Sequence, residues 1–278
     1  MKEIRKSRYT GQFYPGDATE LASLVTSYIS SPRTVSPTED VLGVISPHAG
    51  YVYSGPCAGY SYHALANKHF STAVIIAPSH HSAGFSWSVG DFSAYDTPLG
   101  RMQVNRSDVA ALLAMPGSVF NRQVHEIEHA LEVQLPFLQI LRPQASIVPI
   151  LLGNQTPGNS EELANLLWQQ YQNRLQDTVF IVSSDASHYH DASMAEKIDG
   201  RTARLIEDGD IGNLGHFMMT RELEACGFGG ILTLMHLAQK SGYNGIKTLQ
   251  YTHSGKVNGD FHRVVGYLAT MFYKEERA

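Results

Sequence analysis

Cysteine is scarce in this chain, with Cys57 and Cys226 the two present among 278 residues. Two thiols cannot build a framework of several disulfides, so the composition excludes the small disulfide-rich secreted proteins and favours free thiols or a metal ligand. Basic residues are also in the minority, with 21 Lys and Arg against 26 Asp and Glu and a net charge of −5. This balance argues against nucleic acid as a partner.

Long hydrophobic runs are missing as well. No run reaches the roughly 18 apolar residues of a membrane-spanning helix, and the basic first residues lack the apolar core of a signal peptide. We therefore expect a cytoplasmic protein with no membrane partner. No linker rich in Pro, Gly or Ser divides the chain, and 43% hydrophobic residues are ample for a core. The sequence predicts one domain over residues 1–278.

Three segments pass from an apolar run directly into histidine, serine and aspartate. They are VLGVISPH (41–48), STAVIIAPSHH (71–81) and TVFIVSSDASHYH (178–190). Unbroken apolar strands are typical of parallel sheets that helices cover on both faces. Ligands of such sheets bind beyond the carboxyl ends of the strands. We therefore predict an α/β fold with a mostly parallel central sheet. The polar segments that follow these three strands should meet at one edge of that sheet.

Hydrophobic periodicity and turn residues predict the remaining elements. The hydrophobic spacing of 125–141 predicts a single helix bent at Pro136, and residues 82–106 favour a hairpin-like insertion near the site. The other predicted helices lie at about 17–29, 56–67, 107–115, 160–175, 193–206, 210–219 and 230–240, and the predicted strands at 41–46, 73–77, 147–152, 179–183, 247–252 and 264–272.

The first candidates for metal ligands are His48 and His80, at the exits of two buried strands. Imidazole is a common ligand of Fe, Cu and Zn, although a lone loop histidine more often bonds only to backbone. Cys226 precedes an apolar helix, a position that favours the thiolate and thus a ligand or redox centre. The alternative is a buried small hydrophobic residue, which is our interpretation of Cys57.

The segment HEIEH (125–129) matches the HExxH pattern of zinc peptidases. In that pattern two histidines lie one helical turn apart and the glutamate acts as general base. Polar residues place His125 near the predicted helix start, so we favour roles for Glu128, His129 and Glu132 instead. A zinc hydrolase stays open as a third hypothesis.

Asp185 and His188 lie three residues apart at the exit of the third strand. A neighbouring carboxylate fixes the tautomer of a histidine and raises its pKa, so the two could act as an acid–base pair. The alternative is that Asp185 caps the following segment while His188 only packs.

Seven short motifs together resemble the Memo family, which is itself similar to class III extradiol dioxygenases of the LigB type. The motifs are GQFYP, SPHAGYVYSG, APSHH, EHALEVQLPF, SSDASHYH, ACGFGG and SGKVNGD, and they extend over nearly the whole chain. The resemblance implies a single LigB-like αβα sandwich with a mostly parallel sheet. It assigns the metal ligands to His48, His80 and Cys226, with Asp185 and His188 beside them.

The resemblance also implies a function. A glutamate completes the two-histidine iron triad of the dioxygenases, and here a cysteine takes that place, which changes metal preference because thiolate is a soft ligand. We expect one Fe(II) or Cu ion per chain, with Zn less favoured, and redox chemistry on a small molecule such as an aromatic compound. The expected catalytic residues are His188, Asp185 and His129, and the expected substrate contacts are His81, Tyr51 and Glu128.

Two partners other than a small molecule follow from the same resemblance. Family members are described as adaptors that bind peptides, so a non-enzymatic module holding a peptide in the same cleft is the alternative. In microbes the family is linked to a radical-SAM protein, which makes such a protein a candidate partner.

Overall fold

The computed structural model describes residues 3–32 and 40–275. Within these residues the strands are β1 (Ile4–Arg5), β2 (Val41–Ser46), β3 (Thr72–Pro78), β4 (Trp87–Val89), β5 (Ala94–Thr97), β6 (Gly100–Gln103), β7 (Ser118–Val119), β8 (Ser146–Leu152), β9 (Thr178–Ser183), β10 (His188–His190), β11 (Gly245–His253) and β12 (Val264–Tyr273). The helices are α1 (Ala18–Ser30), α2 (Tyr51–Ala64), α3 (Arg106–Leu113), α4 (Arg122–Ile127), α5 (His129–Glu132), α6 (Leu135–Leu141), α7 (Pro157–Tyr171), α8 (Ala192–Glu207), α9 (Ile211–Met219), α10 (Phe228–Ser241) and α11 (Gly255–Asn258), with a 3₁₀ turn at Leu175–Asp177.

The centre of the large sheet is parallel, in the order β2, β9, β3, β8. Its strands are almost wholly buried, which explains why they read as unbroken apolar runs. The flanks are antiparallel, with β12 and β11 beyond β2, and β4 beyond β8. The ten residues between β11 and β12 are too few for the crossover that a parallel pair needs. The sheet as a whole is therefore mixed, with a parallel core.

Helices cover the sheet in two layers. On one side α2 packs on β2 and β12 and carries α1 and α6. On the other, α10 packs on β9 and β3 and carries α7. This arrangement confirms the predicted αβα sandwich. Within the described residues, every helix is too short or too polar to span the hydrocarbon of a membrane.

The single helix predicted over 125–141 is wrong. The chain forms α4, α5 and α6 instead, and α4 is separated from α5 because Glu128 adopts extended backbone with φ −89° and ψ 129°. There it caps α5, and its side chain accepts a hydrogen bond from the backbone N–H of Ala130 at 2.9 Å. The tertiary contacts of Glu128 thus override the helical spacing of apolar residues, which continues on both sides of it.

The hairpin predicted within 82–106 is present as the antiparallel pair β5 and β6, while β4 joins the main sheet. The N-terminal arm, residues 3–16, adds β1 to this hairpin in parallel. Arg5 then reaches Glu132, the last residue of α5, and forms an ion pair with side-chain exposures of 1% and 0%. This buried pair anchors the arm beside the strand exits.

Candidate metal centre

Three histidine side chains converge at the exits of the central strands. His48 follows β2, His80 follows β3 and His129 begins α5. One ring nitrogen of each lies within 4.8 Å of those of the other two. The ring centroids are 5.2 Å apart for His48 and His80, and 4.6 Å apart for His80 and His129. Parallel strands bring the first two histidines together, and the break at Glu128 delivers the third.

Glu128 fixes the orientation of two of these imidazoles. Its Oε1 lies 2.9 Å from Nδ1 of His80 and 3.1 Å from Nδ1 of His129. Burial by itself would raise the pKa of Glu128, but hydrogen bonds from His129 and His80 hold it well below its usual range. An ionised carboxylate can only accept, so both Nδ1 atoms carry hydrogen. The lone pair of each ring is therefore on Nε2, the form in which a metal-binding histidine is held by a carboxylate.

Ser183, the last residue of β9, does the same for His48. Its hydroxyl donates to the carbonyl of Ala130 at 2.6 Å and accepts from Nε2 of Gln134 at 2.8 Å. The single hydroxyl proton is thus used, so Nδ1 of His48, at 2.9 Å, must be the donor. Burial and the charges of His80 and His129 lower the pKa of His48, which keeps its Nε2 lone pair available.

Replacing Glu128 by glutamine should lower metal affinity by about 10- to 100-fold, the usual effect of losing a partner that orients ligands. The carboxylate accepts from both imidazoles at Oε1 and from the backbone N–H of His80 at Oε2, 2.7 Å away, so an amide sets its donating NH₂ against one of these donors. Competition with a chelator measures the affinity. Glu126→Gln is the matched control, since that residue is exposed and pairs with Arg122. Equal affinity in both variants would contradict the orienting role.

Cys226 lies next to His48, with Sγ 3.1 Å from Nε2 of the imidazole. The backbone N–H of Asp185 donates to the same sulfur at 3.2 Å. Burial and the charge of Asp185 raise the pKa of the Cys226 thiol, so the sulfur is protonated here and donates to His48. The thiolate expected from the nearby helix would need the positive charge of a metal. Cys226 stays a prediction as a ligand, and its sulfur is in reach of one.

Asp185 holds the backbone of the His48 loop. Its Oδ1 accepts from the backbone N–H of His48 at 2.7 Å. Burial raises the pKa of Asp185, while the His48 N–H and the charge of His188 act to lower it. His188 is half-buried, and its backbone N–H donates to Glu224 at 3.2 Å. Its proposed pairing with Asp185 stays a prediction, and Glu224 is a support that the motifs did not indicate.

The remaining predicted substrate contacts lie in different surroundings. Tyr51 is 2% exposed, and its hydroxyl donates to the carbonyl of Val133 at 2.6 Å. His81 is exposed beside the cluster. Glu128 is occupied by the histidines, as described above. Substrate contact by these three residues stays a prediction.

His125 does not join the cluster. It is buried, with Nδ1 3.2 Å from the Tyr95 hydroxyl and Nε2 3.1 Å from Ser88. Because α4 ends at Ile127, His125 and His129 do not share a helix. The HExxH geometry is not formed.

The N-terminal arm forms one wall of the histidine cluster, which the candidate ligands and acid–base residues of the sequence did not indicate. The Phe13 ring lies 4.7 Å from that of His129, and the Tyr9 ring lies 5.6 Å from it. The one signal in the sequence is the GQFYP motif, which carries no metal ligand or acid–base group. The motif therefore indicates the site only because the fold places its Phe13 against His129.

Comparisons with known proteins match nearly the whole chain to one family. The profile of the family described as Memo-like protein matches residues 5–271. A MEMO1 family protein of Nitrosopumilus maritimus is 35% identical over 97% of this chain and 99% of its own. Another, of Thermoplasma volcanium, is 34% identical over 95% and 96%. A solved structure of an uncharacterized protein from Escherichia coli K12 has 13% identity and a TM-score of 0.42 over 72% of this chain and 85% of its own. The family match and these identities show that the chain belongs to the Memo-like protein family.

Proposed function

We propose that this protein is a metal-dependent redox protein that holds one iron or copper ion between His48, His80 and His129. The observation that carries the proposal is the convergence of three imidazoles whose Nδ1–H groups are all held by acceptors. Such a set needs no rearrangement of tautomers to present three lone pairs. Imidazole donors suit iron, copper and zinc, and the adjacent thiol suits both Cu(I) and zinc, so the preference for iron or copper rests on the resemblance to extradiol dioxygenases.

Cys226 is the proposed fourth donor. Its sulfur touches Nε2 of His48, the atom that we assign to the metal. A bound iron or copper ion would supply electron transfer and Lewis acidity, which fits the resemblance to extradiol dioxygenases. The substrate we propose is a small molecule. The exposed side of the cluster, where the His80 side chain is 32% accessible, gives it a route of approach.

His188 is the proposed acid–base residue. It is half-buried and close enough to Asp185 for its charge to act on that carboxyl. Glu224 holds both neighbours of Tyr189, accepting from the backbone of His188 and from Nε2 of His190 at 2.9 Å. The segment is thereby fixed while the His188 ring is left for proton transfer.

We expect His188→Ala to lower turnover by about 10²- to 10⁴-fold with metal content intact, the usual contribution of one proton-transferring group. Steady-state rates and metal analysis on the same sample measure both quantities. His216→Ala, at an exposed histidine of α9, serves as control. Loss of metal in His188→Ala would make the residue a ligand, and unchanged turnover would make it a packing residue.

The experiment for the function is metal analysis after anaerobic purification, followed by oxygen-uptake assays with panels of small molecules. The proposal predicts iron or copper near one per chain, and oxygen uptake that disappears when a chelator removes the metal. Peptide binding that metal removal leaves unchanged, together with an absence of oxygen uptake, would favour the adaptor alternative. Stoichiometric zinc with hydrolysis would favour the third hypothesis.

A further inference from the structure

A second concave site is lined by Phe13, whose ring also packs against His129 of the histidine cluster. It has a volume of about 570 Å³, which is within the range of pockets that hold small molecules. The N-terminal arm, one face of α1 and the first turn of α2 enclose it. Its lining residues are Gly11, Gln12, Phe13, Tyr14, Pro15, Glu20, Leu24, Tyr28, Gly50, Tyr51, Val52 and Tyr53.

The walls of this pocket are rich in aromatic rings. Five of the twelve lining residues are Phe or Tyr, and they come from all three enclosing segments. The rings of Tyr14 and Tyr51 pack on each other at 5.6 Å. Tyr28 covers the surface of Gly55, where an added Cβ would lie 2.4 Å from its ring. Packing against neighbouring elements therefore holds these rings in place.

Three of the four tyrosine hydroxyls that line the pocket donate hydrogen bonds inside the protein. The hydroxyl of Tyr51 donates to the Val133 carbonyl, and that of Tyr28 to the Tyr51 carbonyl at 3.2 Å. The hydroxyl of Tyr14 donates to Glu132. The backbone N–H of Tyr51 donates to the Phe13 carbonyl at 2.7 Å. An anion entering the pocket would find few free donors.

The charge of the pocket lining favours a cation instead. Among the described residues that line the pocket, Glu20 is the only charged one, and no Lys, Arg or His is present. The faces of aromatic rings carry negative potential and attract cations, quaternary ammonium groups above all. A carboxylate at the rim adds to this attraction. Rings and a carboxylate together favour organic cations.

We propose that this pocket binds a small organic cation, of the quaternary ammonium or alkylamine class. The inference goes beyond the metal-dependent function and does not rest on it, because no residue of the histidine cluster lines the pocket. Phe13 contributes to both sites, since it lines the pocket and its ring centroid lies 4.7 Å from that of His129.

Calorimetric titration of the full chain with choline, and with its neutral isostere 3,3-dimethylbutan-1-ol, tests the proposal. The two probes share size and shape and differ in charge. Choline should bind about tenfold more tightly, because cation–π attraction falls in this range. Chelation of any bound metal should leave both affinities unchanged, so that failure here is separable from failure of the metal proposal. Equal affinity for the two probes, or no binding of choline, would overturn the inference.

Two substitutions locate the binding. Glu20→Gln and Tyr53→Leu should each weaken choline binding at least about fivefold while leaving the neutral isostere unaffected, since each removes part of the attraction for a cation. Glu162→Gln is the matched control, because that exposed residue of α7 lies in the other helix layer. Thermal melting confirms that each variant is folded. Choline affinity that both pocket variants retain would show that the cation binds elsewhere and would refute the assignment.

Discussion

His129→Ala is expected to lower the affinity for iron or copper by more than about a hundredfold. Structural metal sites with four ligands bind with about 10–16 kcal/mol, so one ligand accounts for roughly 3 kcal/mol of that free energy. His129 has one ring nitrogen within 4.8 Å of those of His48 and His80, and Glu128 holds its Nδ1 at 3.1 Å. Chelator competition under anaerobic conditions measures the change.

His125→Ala provides the matched control, four residues earlier in the same HEIEH segment. His125 bonds to Tyr95 and Ser88 and does not belong to the cluster, so its loss should cost stability but leave metal affinity unchanged. The zinc-peptidase pattern predicts the opposite. If His129→Ala keeps full affinity while Cys226→Ser loses it, the ligands are His48, His80 and Cys226, as the resemblance alone implies.

Arg5→Met is expected to destabilise the protein by about 3–5 kcal/mol, the usual cost of removing one partner of a buried ion pair. Arg5 and Glu132 are 1% and 0% exposed, so the substitution leaves a carboxylate buried without its counter-ion. Arg5 also donates to the backbone carbonyls of His125 and Glu128, at 3.1 and 2.9 Å, and these carbonyls would lose their donor as well. Urea unfolding measures the difference in free energy.

The neighbouring substitution Lys6→Met serves as its control. Lys6 pairs with Asp96 at 2.7 Å, but its side chain is 73% exposed, and pairs of this kind contribute about 0–1 kcal/mol. Similar losses of unfolding free energy in the two variants would show that burial of the Arg5–Glu132 pair does not contribute to stability. Because the N-terminal arm packs Phe13 against His129, we also expect Arg5→Met to weaken this packing beside the metal centre.

The strand exits were predictable because their signal is local. Continuous apolar runs such as Ala73 to Ala77 predict buried parallel strands, and chain connectivity then places His48 and His80 at one edge. The same argument supplied Asp185 at the end of β9. For these residues, the sequence pattern and the geometry of parallel sheets were sufficient.

The third imidazole was predicted as a catalytic residue, and its place in the cluster depends on contacts distant in sequence. Glu128 breaks a helical period because it bonds to His80, 48 residues earlier in the chain. Glu132, four residues later, bonds to Arg5, 127 residues away. No local pattern encodes such pairs, since propensity and periodicity describe only near neighbours. The anchoring of the arm, and with it the position of Phe13, was therefore beyond sequence reasoning.

X-ray absorption spectroscopy on the anaerobically metal-loaded protein tests the central claim most directly, because imidazole rings give a characteristic multiple-scattering signature. We predict three imidazoles bound through nitrogen at about 2.0–2.1 Å, with a sulfur at about 2.3 Å if Cys226 is the fourth donor. The same measurement on His129→Ala should show one imidazole fewer. A spectrum with one imidazole or none, or one that His129→Ala leaves unchanged, would contradict a centre built on His48, His80 and His129.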